Sequence, residues 1–306
     1  MLRLNNVTLE GPDLSGKTTL FETIHSTTNY RWNIQDRSEL SMLCYAEMYG
    51  RNTDIWHKRL RDRLQNLNDR MIVIIPPLDV ILDRYEKRGD DKQNKKSLIE
   101  LYEIFKKNAK LYSDYPTMGL LEDIEGSVEE ITALCITWLA ESEATDIDMI
   151  ANDIAGIAAA SDNEAHPVRL QVDLKSYSAE SLKDVMEDEI EGKYYKQILS
   201  DVIKNIDKEI KGKNEYRSKQ KPITTRRFIH TEPTCISLFH TMYRKDRLSF
   251  YSTCRSSNTI DTFAFDLKFL IYMSHFVKNY LEIEDQNEMT LDISMHSAHI
   301  IEELDG

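Results

Sequence analysis

Gly11-Pro12-Asp13-Leu14-Ser15-Gly16-Lys17-Thr18 is the stretch that decides the fold of the first part of this chain. It fills the pattern G-x-x-x-x-G-K-[ST], follows a strand-like run from Leu2 to Leu9 and precedes a helix-forming run that starts at Leu20. In this pattern the glycines turn backbone N–H groups toward phosphate oxygens, the lysine reaches the β and γ phosphates, and the hydroxyl binds Mg²⁺. The sequence therefore predicts a site for the phosphates of a nucleoside triphosphate, with Thr18 as a ligand of Mg²⁺. The predicted phosphate-binding residues are Gly11, Ser15, Gly16, Lys17, Thr18 and Thr19.

The composition is that of an acidic globular protein. The chain has 306 residues, which is long for one core, so two domains are the default expectation. Its net charge of −13 disfavours non-specific binding to DNA. The four cysteines form no C-x-x-C pair, no apolar run is long enough to cross a membrane, and the N-terminus lacks a signal-peptide pattern. We therefore expect a cytoplasmic protein with reduced thiols and no membrane partner.

Strand-like and helix-like segments alternate from the start of the chain to about residue 140. This alternation predicts an α/β domain, residues 1–140, with a parallel sheet and helices on its faces in three layers. Residues 141–167 shift in composition and are predicted to be a linker, although Ile147 to Ala160 also has the pattern of an amphipathic helix. The remaining residues, 168–306, are predicted to form a helical segment and an α+β domain.

Individual elements follow from the hydrophobic pattern. In the first domain we expect a helical stretch from Leu40 to Arg70 and a buried strand from Met71 to Ile75. In the second we expect a charged helix over Ser178–Lys211 and a long apolar helix near Phe265–Tyr280.

The segment from Glu10 to Thr19 resembles the phosphate loop of thymidylate kinases, which place Glu-Gly before the loop and an Asp inside it. The resemblance extends over residues 2 to about 140 and implies that Asp13 contacts the sugar of an acceptor nucleotide. The alternative for Asp13 is a turn residue that caps nearby N–H groups. Asp36-Arg37 resembles the Asp-Arg motif of the same family, which implies that Arg37 holds the acceptor phosphate and that Asp36 assists the metal. The alternative here is an exposed arginine beside an aspartate at a helix start.

The segment 72–90 resembles the strand, helix and lid entry of nucleoside monophosphate kinases. Arg84 and Arg88 lie four residues apart on one helix face, where both would reach a phosphate in transfer. The resemblance implies that they act in catalysis together with Lys17, and the alternative is a solvated basic helix face. The element between Thr18 and Asp36 is shorter than in the family, so the sequence assigns no base-reading residues.

Four segments of the second domain follow the order found in thymidylate synthases and deoxypyrimidine monophosphate hydroxymethylases. These segments are 233–240, 248–258, 265–275 and 297–300. By this resemblance Cys235 is the nucleophile that adds to a pyrimidine, and the other implied nucleotide contacts are Arg226, Arg227, Arg255, Ser256, Asp266 and His299. A thiolate suits attack on a conjugated carbon and needs nearby positive charge. The alternative for a free cysteine is a small buried hydrophobe.

Departures from the synthase pattern bear on activity. Asp266 stands where uracil-specific synthases carry Asn, and an ionised carboxylate only accepts hydrogen bonds, which favours cytosine or a modified pyrimidine. Ile236 and Asn258 replace a His and an Asp of the family, so the 5,10-methylenetetrahydrofolate that the resemblance implies as a cofactor is in question. A degenerate domain that binds nucleotide or forms a homodimer is the alternative.

Three hypotheses of function follow. The first is a Mg²⁺- and ATP-dependent kinase of a deoxypyrimidine 5′-monophosphate, joined to a synthase-like domain for the same nucleotide class, as would suit a virus acting in a host cytoplasm. The second is a kinase of hydroxymethylated pyrimidines in DNA, with the basic tract 211–227 following phosphates; a solvated linker is favoured for this tract. The third is a nucleotide-sensing or scaffold protein, against which the intact Gly16-Lys17-Thr18 argues.

Overall fold

The computed structural model describes residues 1–88, 94–143, 146–188, 191–211, 223–224, 235–244, 247–255, 257–260, 262–283 and 288–300. The chain divides into two compact units. The first unit is Leu4–Glu143, and the second unit combines Ala144–Gly306 with Met1–Arg3. The arginines Arg226 and Arg227, the serine Ser256 and most of the basic tract 211–227 lie outside the described residues.

The first unit is built on a parallel sheet of four strands in the order β2-β1-β3-β4. Its strands are β1 (Asn6–Glu10), β2 (Ile34–Asp36), β3 (Asp69–Ile75) and β4 (Met118–Glu122). β3 is buried from its second residue to its last, as expected for a parallel strand that is covered on both faces. The predicted α/β class with a parallel sheet is therefore confirmed for this unit.

Helices connect these strands. They are α1 (Lys17–Thr28), α2 (Glu39–Met48), α3 (Asp54–Leu64), α4 (Leu78–Arg88), α5 (Lys95–Leu111) and α6 (Val128–Ser142). The helical stretch predicted from Leu40 to Arg70 is wrong as one element, because it divides into α2, α3 and the start of β3. The division falls at Gly50, whose φ of +61° lies in the left-handed region and ends α2.

One buried apolar cluster of the first unit lies between the sheet and two helices. Leu20 and Ile24 of α1 and Leu139 of α6 belong to one buried apolar cluster with strand residues that include Leu9 and Ile74. An N-terminal capping box, in which the Ser127 side chain and Glu130 bond each other's backbone N–H, starts α6. The packing of α1 on the sheet fixes the position of the loop that precedes it.

The strand order indicates where a ligand site is expected on the sheet of the first unit. β2 pairs with one edge of β1, and β3, which comes later in the chain, pairs with the other edge. In open parallel sheets, ligands bind beyond the carboxyl ends of the strands at such a reversal. The segment Gly11–Thr18 follows β1 at this point, and Asp36 and Ile75 end the two neighbouring strands.

The second unit contains a mixed sheet in the order β6-β11-β9-β8-β7 and a smaller one in the order β10-β12-β5. The strands are β5 (Glu164–Ala165), β6 (Val168–Asp173), β7 (Ile223–Thr224), β8 (Ile236–Arg244), β9 (Arg247–Cys254), β10 (Ser257–Asn258), β11 (Glu288–Met295) and β12 (Ala298–His299). In β9 and β11 every second residue is buried, so one face of the larger sheet belongs to the core.

The helices of the second unit are α7 (Ile147–Ala159), α8 (Glu191–Lys211) and α9 (Phe263–Tyr280). The apolar helix predicted near Phe265–Tyr280 is confirmed as α9. Of the described part of the predicted helix Ser178–Lys211, only α8 is α-helical, and Glu180–Met186 forms a 3₁₀ helix. The segment 141–167 is not a plain linker, because α7 has six buried residues and β5 pairs with β12. None of the described helices combines the length and the apolar character that crossing a membrane requires.

Residues 1–3 belong to the second unit. Leu2 forms an antiparallel bridge with Val172 of β6, and the backbone N–H of Asp173 donates to the carbonyl of Met1 at 2.9 Å. Arg3 pairs with the Asp173 carboxylate at 2.5 Å. The strand predicted from Leu2 to Leu9 is therefore wrong at its start, and β1 begins at Asn6.

Candidate functional site

The predicted phosphate loop, Gly11–Thr18, takes a shape that only glycine allows at its first position. Gly11 has a φ of +145°, and a Cβ built on it would lie 2.3 Å from the carbonyl oxygen of Ile74 in β3. Gly16 has a φ of +98° and is the N-cap of α1. The sheet thus sets the path of the loop at its first glycine, and the second glycine turns the chain into the helix.

The loop ends in the first turn of α1. In this turn the Leu20 N–H donates to the carbonyl of Gly16 at 3.0 Å. The N–H groups that lead a helix have no partner within it and carry the positive end of its dipole. Those of Lys17, Thr18 and Thr19 are in this position, which favours an anion beside the loop.

Lys17 is folded into the loop. Its Nζ donates to the carbonyls of Gly11 and Pro12, each at 2.8 Å, and to Ser15 Oγ at 3.3 Å. The residue is only 6 % exposed, and burial lowers the pKa of Lys17, an effect that the nearby carboxylates of Asp13 and Asp36 oppose. Further negative charge next to this ammonium would favour its charged form.

A cavity of about 800 Å³ lies against the phosphate loop, within the range of roughly 300–1,000 Å³ typical of small-molecule sites. It brings together the predicted residues of the first unit apart from Gly11. The lining residues are Asp13, Leu14, Ser15, Gly16, Lys17, Thr18, Thr19, Leu20, Asp36, Arg37, Tyr45, Tyr49, Ile74, Arg84, Lys87, Arg88, Val128 and Ile131.

One side of the cavity is formed by the end of β2 and by α2. Arg37 Nη2 donates to Asp13 Oδ1 at 2.8 Å, and the Tyr45 hydroxyl donates to Asp13 Oδ2 at 3.0 Å. Arg37 has a φ of +65°, a strained conformation that for a residue other than glycine is often found at functional sites. Burial, and then Asp13, raises the pKa of Tyr45 to about 12, so its phenol remains a donor at neutral pH.

Glu10 accepts hydrogen bonds from the start of α2, the helix on this side of the cavity. It is fully buried, and its Oε1 accepts from the Ser38 N–H at 2.6 Å, from Ser38 Oγ at 2.8 Å and from the Ser41 N–H at 3.2 Å, while Ser41 Oγ donates to Oε2. These donors form the start of α2, where a carboxylate satisfies N–H groups and favours the helix dipole. Sequence reasoning did not assign Glu10, although a carboxylate at the end of a predicted strand indicates such a need for donors.

The opposite side of the cavity is formed by α4 and α6. Arg84 Nη1 donates to the Leu14 carbonyl at 2.8 Å, and a Cβ on Gly16 would lie 3.4 Å from the same nitrogen. Arg88 and Lys87 lie on the same helix and line the cavity, and Val128 and Ile131 of α6 add apolar surface. The structure thus places the predicted Arg84 against the loop Gly11–Thr18 and the predicted Arg88 in the lining of the same cavity.

The cavity is cationic in an acidic protein. Five lining residues are cations (Lys17, Arg37, Arg84, Lys87 and Arg88), and two are carboxylates (Asp13 and Asp36). In a chain of net charge −13, this concentration of cations favours a polyanionic ligand.

The donor set also fits Mg²⁺ bound together with phosphates. Thr18 and Asp36 both line the cavity, and Mg²⁺ is commonly held by one or two protein oxygens and by substrate phosphates. Within the described ranges there is no cluster of three or more His, Cys, Asp or Glu residues suited to a metal. Phosphate oxygens and waters would therefore supply the remaining ligands.

In the second unit, the buried side chain of Asp266 links α9 to α8 and to β10 by hydrogen bonds. It is 4 % exposed and lies in the first turn of α9. Its Oδ1 accepts from the Tyr195 hydroxyl of α8 at 3.0 Å and its Oδ2 from Ser257 Oγ of β10 at 3.2 Å. The role predicted for Asp266, facing a pyrimidine base, stays a prediction.

Cys235 and Arg255 are joined through the backbone. The Arg255 N–H donates to the Cys235 carbonyl at 2.8 Å. His299 lies in β12, where its carbonyl accepts from the N–H of Thr259 at 2.9 Å. The structure thus brings two of the predicted residues into adjacent backbone positions, and their chemical roles stay predictions.

Cys235 is expected to be the cysteine that alkylates fastest in the folded protein. It is half-buried, whereas the other three cysteines are buried. Burial raises the pKa of Cys135 to about 12 and raises the pKa values of Cys44 and Cys254. Because the thiolate is the reactive form, the pKa shift alone lowers the reactive fraction of Cys135 about 10³-fold at neutral pH.

Iodoacetamide labelling read by peptide mass spectrometry checks this prediction. The control is the same reaction in denaturant, where all four cysteines should react. Labelling of Cys254 as fast as of Cys235 in the folded protein would contradict it.

Comparisons with known proteins give only weak likenesses. No family model matches the chain, and no curated protein matches it. Among solved structures, the YorR protein of Bacillus subtilis in complex with phosphorylated GDP is 17% identical, with a TM-score of 0.37, over 44% of this chain and 96% of that one. Thymidylate synthase from T4 phage is 11% identical, with a TM-score of 0.33, over 53% of this chain and 78% of that one. At these TM-scores neither likeness decides a function.

Proposed function

We propose that the first unit is a Mg²⁺- and ATP-dependent kinase that phosphorylates a deoxypyrimidine 5′-monophosphate. The observation that carries the proposal is the cavity, in which a phosphate loop lies between two groups of charged side chains. Phosphoryl transfer needs a donor and an acceptor anion placed in line, with positive charge around the transferred group. A loop flanked by cations on both sides supports this reaction.

The residues around the cavity would have different roles in the reaction. Lys17 and the leading N–H groups of α1 would hold the β and γ phosphates of ATP, with Thr18 and Asp36 as protein ligands of Mg²⁺. Arg84 and Arg88 would stabilise charge on the phosphate in transfer, since arginine presents several fixed donors to phosphate oxygens. Mg²⁺, when bound, supplies charge neutralisation between the phosphates.

The acceptor would lie on the side of α2. Arg37 would hold its 5′-phosphate and Asp13 would accept from its sugar, which requires their present ion pair to open or to share its bonds. The pyrimidine identity of the acceptor rests on the sequence resemblance of both units to enzymes of deoxypyrimidine nucleotides. We propose that the second unit binds the same nucleotide class, with Cys235 as its nucleophile.

The test is ATP-to-ADP turnover with Mg²⁺ against dTMP, dUMP, dCMP, their 5-hydroxymethyl forms and hydroxymethylated DNA. We expect a free monophosphate to be phosphorylated and the DNA to be inert. Turnover on DNA alone would replace the proposal by a nucleic-acid kinase. Absence of turnover on every acceptor, in a protein that still binds ADP, would leave a binding role.

A further inference from the structure

Tyr49 presents an aromatic ring to solvent beside the proposed acceptor site. It follows the last residue of α2, lines the cavity and is 59% exposed. Leaving a large aromatic side chain in water forgoes the free energy that its burial would give. When such a ring lines a cavity, a bound ligand can cover it and recover part of this free energy.

The ring is supported by two neighbours. Tyr45 lies one helical turn earlier, and the two ring centroids are 6.3 Å apart with an angle of 14° between their planes. The guanidinium carbon of Arg51 lies 5.2 Å from the Tyr49 ring centroid, within the range of a cation–π contact. These contacts restrain the ring before any ligand binds.

The backbone around Tyr49 is fixed by the end of α2. The Gly50 N–H donates to the Glu47 carbonyl at 3.0 Å and the Arg51 N–H to the Ala46 carbonyl at 2.8 Å. With Gly50 in the left-handed region, these two bonds form a Schellman motif. The motif folds Arg51 back toward Tyr49, so both residues belong to a helix end that is held by backbone hydrogen bonds.

The row of rings continues toward the anion-binding groups. Tyr45 is bonded to Asp13, and the guanidinium carbon of Arg37 lies 6.0 Å from the Tyr45 ring centroid. Aromatic rings and guanidinium planes are the surfaces on which nucleic acid bases stack. A ligand with a phosphate at Arg37 and a flat ring along α2 would match both features.

We propose that Tyr49, supported by Tyr45 and Arg51, is the stacking surface for the base of the acceptor nucleotide. The proposal rests on the kinase function proposed above, and it makes Tyr49 a specificity-determining residue that favours nucleotides over phosphorylated sugars without a base. A mononucleotide is preferred over DNA because the rings line a cavity of small-molecule size.

The test is calorimetric binding of dTMP, dCMP, 2-deoxyribose 5-phosphate and a single-stranded oligodeoxynucleotide to the full chain in the presence of Mg²⁺ and ADP. We expect Tyr49→Ala to weaken dTMP or dCMP binding about tenfold or more, from the usual effect of losing one base stack. Binding of 2-deoxyribose 5-phosphate and of ADP should not change. Tyr49→Phe keeps the ring and should bind as the wild type does. Tyr30→Ala removes an exposed tyrosine that does not line the cavity, and it should also leave binding unchanged.

Three results would overturn the inference. They are unchanged dTMP and dCMP affinity in Tyr49→Ala, equal losses for the nucleotides and for 2-deoxyribose 5-phosphate, and a loss confined to single-stranded oligonucleotides. If the wild type phosphorylates a monophosphate and one of these results is found, only the stacking role fails. If the wild type binds neither ADP nor a monophosphate, the proposed function fails and the stacking role with it.

Discussion

Replacement of Lys17 by alanine is expected to lower kcat for phosphoryl transfer by about 10²–10³-fold, the usual effect of removing one positioned donor from a transition state. The reason lies in the position of Lys17, which lines the cavity and whose Nζ donates to the carbonyls of Gly11 and Pro12. The variant also leaves these carbonyls without that donor, so we expect a loss of about 1–3 kcal/mol in the free energy of unfolding. Steady-state kinetics and denaturant unfolding measure the two effects separately.

Lys110→Ala is the matched control for this prediction. Lys110 is an exposed lysine in the last turn of α5, and its removal should change neither kcat nor stability by a measurable amount. Full transfer activity in Lys17→Ala, in a protein that unfolds as the wild type does, would show that the phosphate site has been assigned to the wrong residues.

Gly11→Ala is expected to abolish ATP binding. Its Cβ would lie 2.3 Å from the Ile74 carbonyl oxygen, which belongs to the backbone of β3 and has no rotamer to change. The φ of +145° adds backbone strain, because residues with a Cβ rarely adopt it. Either the loop moves off the sheet or β3 shifts, and we expect at least 2 kcal/mol of destabilisation, as for overpacking combined with strain. The measurements are ADP titration and thermal unfolding.

Gly126→Ala separates the clash from the strain. Gly126 has a φ of +153°, close to that of Gly11, but the nearest atom to its added Cβ is the end of the Glu130 side chain at 3.2 Å. A flexible side chain can move away, so this variant should lose some stability and keep ADP affinity. Equal losses of ADP affinity in the two variants would mean that the loop does not depend on its contact with β3.

The elements that sequence patterns predicted are those set by neighbours in the chain. The phosphate loop, β3 and α9 each carry a local signal, namely glycine spacing, an unbroken apolar run or a helical period. The break in the predicted helix at Gly50 also had a local cause, because glycine at a helix end favours the left-handed turn. However, a lone glycine inside an otherwise helical pattern does not show by itself whether the helix ends there or continues through it.

The contacts that the sequence did not predict join residues far apart in the chain. The Tyr45–Asp13 bond and the capping of α2 by Glu10 depend on how β1 and α2 meet in space. No periodicity encodes them, although both involve polar side chains that must find partners when buried. The pairing of Leu2 with Val172 is also hidden, because the whole first unit lies between them in sequence.

The pairing of residues 1–3 with β6 has a consequence for the order of synthesis. A growing chain folds its N-terminal parts first, yet the partner strand of Leu2 emerges only after the first unit has been made. Before Leu4–Glu143 folds, a long flexible segment separates Leu2 from Val172. Once it has folded, a compact body separates them, so less conformational entropy is lost when Leu2 pairs with Val172. Formation of the bridge between Leu2 and the edge strand β6 is therefore expected to follow the folding of the first unit during translation.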